Sequence, residues 1–154
     1  MARPAFDRLA DVLEAIEKIR EYTRGDEAAF RRNSMARDAV VARLIHIGQA
    51  IKDAQEGGLD LPTLAPQVPW RSIAGMRDRL VHKYWDVDHA IVWNVISSEL
   101  GNLERAVKEI ASRTKRGART GKGADAVRRK RASRGIRERD VSAAAAGSRK
   151  RGHK

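Results

Sequence analysis

The chain has 154 residues, 32 Lys+Arg against 20 Asp+Glu, and a formal net charge of +12. That length suits one domain with a real hydrophobic core, and the lack of cysteine excludes a disulfide framework and any thiolate metal site. No apolar run of roughly 18 residues and no signal-peptide pattern is visible, so the chain is expected to be soluble, cytoplasmic and independent of membranes.

The charge is unevenly placed. Residues 1–111 hold 16 basic and 17 acidic side chains, a net of −1, whereas residues 112–154 hold 16 basic against Asp125, Glu138 and Asp140, a net of +13. The basicity belongs to a tail.

A first helix is predicted from Pro4 to Thr23, where Phe6, Leu9, Val12, Leu13, Ile16 and Ile19 recur at spacings of three and four. Pro4 suits its first turn, Asp7 and Asp11 favour the positive end of its dipole, and Gly25 can stop it. Asp26 is positioned to cap a short segment bearing Phe30. A second long helix is predicted from Ser34 or Met35 to Gln55, with Val40, Val41, Leu44, Ile45, Ile47, Gly48 and Ile51 as its stripe. A glycine inside this pattern costs helix propensity, so Gly48 points to a close approach between helices. Gly57-Gly58 ends the segment.

Residues 59–69 carry Pro62, Pro66 and Pro69 and are predicted as an ordered loop. A third helix then starts at Pro69-Trp70, the proline taking its favoured first position, and frays near Trp85-Asp86. Asp86 or Asp88 caps a fourth helix from about His89 to Ser112, with Val92, Val95, Ile96, Leu100, Leu103, Val107 and Ile110 inward. No strand-period segment competes. The expected class is all-α, an up-and-down bundle of four to five helices over residues 1–112. Residues 113–154, rich in Lys, Arg, Gly, Ala and Ser, lack the apolar area to offset their ordering entropy. They are expected to be a disordered basic tail, with transient helix near 126–132 and attraction for nucleic-acid phosphates.

The third helix carries the densest chemistry, Gly75-Met76-Arg77-Asp78-Arg79-Leu80-Val81-His82-Lys83-Tyr84. Arginine offers a fixed fork of donors for phosphate. Histidine titrates nearest neutrality and can act as acid or base. At about 100° per residue, Arg77 and Tyr84 fall roughly 20° apart on a helix, whereas His82 is about 140° from Arg77. Arg77 and His82 converge if the last turn loosens before Trp85, or if two copies meet across a symmetric dimer. Otherwise they read as ordinary surface or interface residues. His46 is expected at a core or interface position, His89 on the surface, and His153 in the tail. No metal-ligand spacing is visible, and no cofactor is expected.

The order arginine, polar residue, three residues, histidine, one residue, tyrosine resembles the signature of HEPN-domain ribonucleases, specifically the HepT-like toxins. The similarity extends through Leu9–Tyr22, Asp38-Ala39-Val40, Ile47-Gly48-Gln49-Ala50, Val68-Pro69-Trp70-Arg71, Gly75–Tyr84 and Val92-Trp93. Two positions depart from it: Gln49 stands where that family often has glutamate, and Asp78 where it often has asparagine.

The resemblance implies a metal-independent endoribonuclease acting as a homodimer, the toxin of a toxin–antitoxin pair. Arg77 would hold the scissile phosphate and His82 would move the proton of the ribose 2′-OH. Asp78 would orient side chains, and Arg79 and Lys83 would attract phosphate. Tyr84 would be the target of AMP transfer by a cognate nucleotidyltransferase antitoxin, which places bulk and negative charge over the cleft. The rival expectations are a non-catalytic helical dimer that binds nucleic acid through its tail, and an inactive HEPN-like chain that only docks to a nucleotidyltransferase.

Overall fold

The computed structural model describes residues 3–117, and these are helical, with no strand among them. The elements are α1 (Ala5–Thr23), α2 (Glu27–Arg32), α3 (Ser34–Glu56), the single turn α4 (Leu61–Leu64), α5 (Trp70–His82), a 3₁₀ turn (Tyr84–Asp86) and α6 (His89–Ser98). A further helix, α7, covers residues 100–117. By contacts the chain divides into two units, Met1–Ser112 and Arg113–Lys154. The first is the helical bundle. Of the second, residues 113–117 are described and helical, which corrects the expectation of disorder for those five; Lys and Arg lose little side-chain freedom in a helix. The expected disorder of the rest of the tail, including transient helix near 126–132, lies outside the described residues.

Local chemistry sets the boundaries. The backbone of Arg24 turns left-handed at φ 49° and Gly25 follows at φ 72°, ending α1. Asp26 caps α2 by accepting the Ala29 N–H at 3.0 Å, and Asn33 caps α3 by accepting the Ala36 N–H at 3.0 Å. Asp88, rather than Asp86, caps α6, accepting from Ala90 N–H at 2.9 Å. Pro69 sits one residue ahead of its expected place, at the N-cap of α5.

The predicted fourth helix is two. Within α6, the Ser97 hydroxyl donates to the Trp93 carbonyl at 2.8 Å, and the Ser98 hydroxyl donates to the Asn94 carbonyl. Serines that bond back into their own helix bend it, and the helix breaks at Glu99.

α3 lies at the centre, packed against α1 on one side and α5 on another. Leu9, Val12, Ile16 and Ile19 of α1 meet Val40, Leu44, Ile47 and Ile51 of α3 in the core, each at most 1% exposed. Truncating any of these aliphatic side chains to alanine is expected to cost about 2–5 kcal/mol. The inward stripes are narrower than the apolar patterning: Phe6 is exposed, and Leu13, Val41 and Ile45 are only partly buried. Trp70 is buried and its indole N–H donates to the Ala65 carbonyl at 2.8 Å, which ties the proline-rich connection to the start of α5. That tie fixes where α5 begins. Among the described residues, no helix is long and apolar enough to cross a membrane.

Candidate active site on helix α5

Arg77 is placed by a glycine. A Cβ at Gly48 would lie 2.4 Å from the Arg77 Cβ, 3.2 Å from its Cγ and 3.3 Å from the Ile73 carbonyl oxygen. The close approach expected from Gly48 is real, and what it approaches is the base of the motif arginine. The Arg77 side chain keeps 28% exposure, and its Nη1 donates to Asp78 Oδ1 at 2.6 Å. Its Nε is covered and has no hydrogen-bond partner. The partial exposure of the side chain leaves guanidinium N–H groups to meet an incoming oxyanion.

Asp78 joins the charged groups of the site. The hydrogen bond from Arg77 holds its carboxyl below the usual carboxylate range; desolvation opposes this, and smaller contributions from Arg77, Lys52 and His82 lower it further. Asp78 and His82 are one turn apart, about 40° round the helix, so they share a face. Arg77 and His82 remain about 140° apart, because α5 is helical up to His82 and leaves the helix only at Lys83, with φ −132° and ψ 38°. The last turn loosens at Lys83, before Trp85 as one alternative required, while His82 itself is still helical. Within one chain, Asp78 bridges electrostatically between them.

The other motif residues separate. Arg79, about 200° round from Arg77, lines a cavity of about 540 Å³ with Leu44, Ile47, Val68, Met76 and Val95. Lys83 is exposed, and its N–H bonds the Arg79 carbonyl at 2.9 Å. Tyr84 lies beyond the helix, so its ideal-helix angle to Arg77 does not apply. It stands 70% exposed in the 3₁₀ turn, in T-shaped contact with Trp85 at 5.4 Å between ring centroids.

Lys52 is the group that motif reading missed. It lies one turn after Gly48 on α3, is exposed, and acts on the Asp78 carboxylate from across the helix pair. The available signal was its spacing of four from the glycine that marks the helix contact.

His46 lies outside the core, and His89 departs from its expected surface position. His46 is exposed and lines a polar cleft with Arg8, Asp11, Glu14, Arg43 and Asp53, because it projects about 200° from the buried Leu44. His89 is half-buried, its ring edge-on to Phe30 at 6.3 Å and its Nδ1 covered without a partner. Gln49, in place of the resembling family's glutamate, donates to Asp53 Oδ1 at 2.7 Å on the α1 side of α3.

The family described as Ribonuclease HepT-like matches residues 12–110, a span that holds α3, α5 and every motif side chain discussed. The chain belongs to that family. A protein of Thermococcus cleftensis described as a probable ribonuclease HepT is 36% identical over 107 residues, covering 68% of this chain and 93% of the relative. A protein of Caldanaerobacter subterraneus subsp. tengcongensis, provisionally named RNase TTE0752, is 33% identical over 114 residues, covering 73% and 96%. No solved structure gives a significant match.

Proposed function

We propose that the protein is a metal-independent endoribonuclease whose reaction centre is Arg77 and His82. The family and the ribonuclease names of its relatives support ribonuclease action on RNA. The observation that carries the assignment to this site is the seating of Arg77 on Gly48, which presents a partly exposed guanidinium beside Asp78.

In this reading, His82 takes the proton of a ribose 2′-OH, and that oxygen attacks the adjacent phosphorus. A new O2′–P bond forms, the P–O5′ bond breaks, and the leaving 5′-oxygen receives a proton from imidazolium. Arg77 holds the phosphate and neutralises charge growing on its oxygens. Asp78 holds Arg77 in place, and Lys52 and Lys83 attract phosphates. A homodimer about the α5 face brings two copies of the pair into one cleft, so Arg77 of one copy can serve the His82 of the other. The reaction requires a 2′-OH and spares DNA.

Regulation is assigned to Tyr84, whose exposed phenol is open to AMP transfer from a nucleotidyltransferase antitoxin. The bulk and charge added beside His82 would exclude RNA, as suits the toxin of a toxin–antitoxin pair.

The test is cleavage by full-length protein purified away from any antitoxin. RNA should be cut in EDTA to leave 2′,3′-cyclic phosphate ends, and His82→Ala should abolish cutting with helicity and oligomeric mass unchanged. Undiminished activity in His82→Ala sinks the assignment. RNA binding without cleavage at any protein concentration favours the non-catalytic binding protein instead.

A further inference from the structure

Trp85 is 73% exposed and Tyr84 70%, whereas Trp70 is 3% exposed and Trp93 is half-buried against Phe30. The exposed pair is held in a defined place. The Lys83 N–H bonds the Arg79 carbonyl at 2.9 Å, and the Asp86 N–H closes the turn on the Lys83 carbonyl at 3.0 Å. Beyond the turn, Val87 packs on the core and Asp88 caps α6. The two rings meet at 80°. In a T-shaped contact one ring offers only its edge and the other only one face, so each ring keeps at least one face open.

The surroundings select a ligand for such a face. His82 and Lys83 immediately precede the pair and are exposed, with Arg77 and Lys52 on the helices behind. Asp86 closes the same turn and repels phosphate from its own side, which leaves the backbone of a ligand to the His82–Lys83 side. A flat aromatic face next in the chain to an exposed lysine ammonium and an exposed imidazole matches an unpaired base and its flanking phosphate. A duplex hides its base faces by stacking and cannot use the indole.

Resting on the ribonuclease reading, we infer that Trp85 is a stacking platform for an unpaired nucleobase next to the cleaved linkage, which directs the enzyme to single-stranded RNA. Tyr84 braces the indole. The platform binds any base by its π face and confers a preference for unpaired over paired RNA rather than for one sequence.

Full-length protein is titrated with a fully 2′-O-methylated oligonucleotide, which lacks the reacting hydroxyl, and with the same strand carrying abasic positions. Tryptophan emission and affinity are both followed. Because Trp70 is buried and Trp93 half-buried, quenching on binding reports Trp85. The expected result is quenching by the base-containing strand, little by the abasic strand or a duplex, and affinity for the base-containing strand at least about fivefold higher. Trp85→Leu should lose both the quenching and the discrimination, and Trp85→Tyr should restore the discrimination. The basic tail attracts both strands alike and cancels from the comparison. Equal affinity of the wild-type protein for abasic and base-containing strands overturns the platform. So does a fall in oligomeric mass in Trp85→Leu, which would assign the indole to contact between copies. Cleavage of unmodified RNA is scored separately: base-dependent quenching without cleavage overturns the ribonuclease reading alone, and cleavage without base dependence overturns the platform alone.

Discussion

Gly48 and Arg77 occupy one contact between two helices, and the hydrogen of the glycine is the only group that fits there: a methyl would sit 2.4 Å from the Arg77 Cβ. That atom is fixed to the α5 backbone and cannot swing aside as the end of a long side chain could. Relief requires the helices to part or Arg77 to move.

Gly48→Ala is therefore a functional and a structural variant at once. Alanine gains about 1 kcal/mol of helix propensity, but forcing a methyl into a packed contact costs about 1–3 kcal/mol. The net expectation is a modest loss of stability in urea. The RNA-cleavage rate, kcat/KM, should fall by about tenfold to a hundredfold, the range for displacing a catalytic group by about an ångström. Gly75→Ala on α5 is the control: nothing lies within 4 Å of its added methyl, and it should stabilise by about 0.5–1 kcal/mol.

Asp78→Asn should strengthen RNA binding. In the native protein a carboxylate competes with phosphate for Arg77. An exposed carboxylate is well screened, so the expected drop in KM is about twofold to fivefold. The pH dependence has a definite sign. The folded Asp78 carboxyl ionises below the usual range, so its ion pair with Arg77 is complete above the ordinary carboxylate pKa. The pair weakens only as pH falls through the depressed value. Wild-type affinity for a non-cleavable oligonucleotide should rise across that acidic window, and Asp78→Asn should lack that rise; matching profiles would remove Asp78 from competition for Arg77.

Lys52→Gln tests the contribution of α3. The variant deletes a charge that acts on Asp78 while leaving the Gly48 contact intact. Expected are a higher KM, a salt dependence shallower by roughly one phosphate contact, and a kcat within about twofold. A large fall in kcat with KM unchanged would instead place Lys52 in the transition state.

Cutting the chain after residue 117 respects the end of the described part of α7 and removes 13 basic and three acidic residues. RNA binding should weaken and its salt dependence flatten, while single-turnover cleavage at saturating protein survives. Cleavage lost at saturation would make the tail part of the reaction machinery.

Much of the bundle was legible because its signals are local. The Asp26 cap, the Gly25 stop and the stripes of α1 and α3 each follow from side chains within a few residues. The break at Glu99 was not legible, because the apolar period continues through it from Val95 and Ile96 to Leu100 and Leu103. Just ahead of it, two serine hydroxyls turn onto carbonyls of their own helix, which favours a bend. At the site, Gly48 announced a close approach, but not that Arg77 was its object. Lys52 and the exposure of Trp85 depend on packing between distant segments, and Arg79 looked like a companion of Arg77 until the cavity separated them. His46 lies outside the core because its apolar neighbours Ile45 and Ile47 belong to faces that His46 does not share.

The seam between α3 and α5 has a consequence for inactivation by heat. Arg77 stands against the buried Gly48 of α3, so it cannot loosen without the cooperative unit that holds that glycine. The Arg77 seat should consequently be lost only with global unfolding, which amide exchange along α3 and α5 would report. The Tyr84–Asp86 turn obeys another rule, since all three of its side chains are exposed and one backbone bond to Lys83 closes it. Amide exchange there should proceed by local opening from its folded geometry, while the amide of Arg77 stays protected.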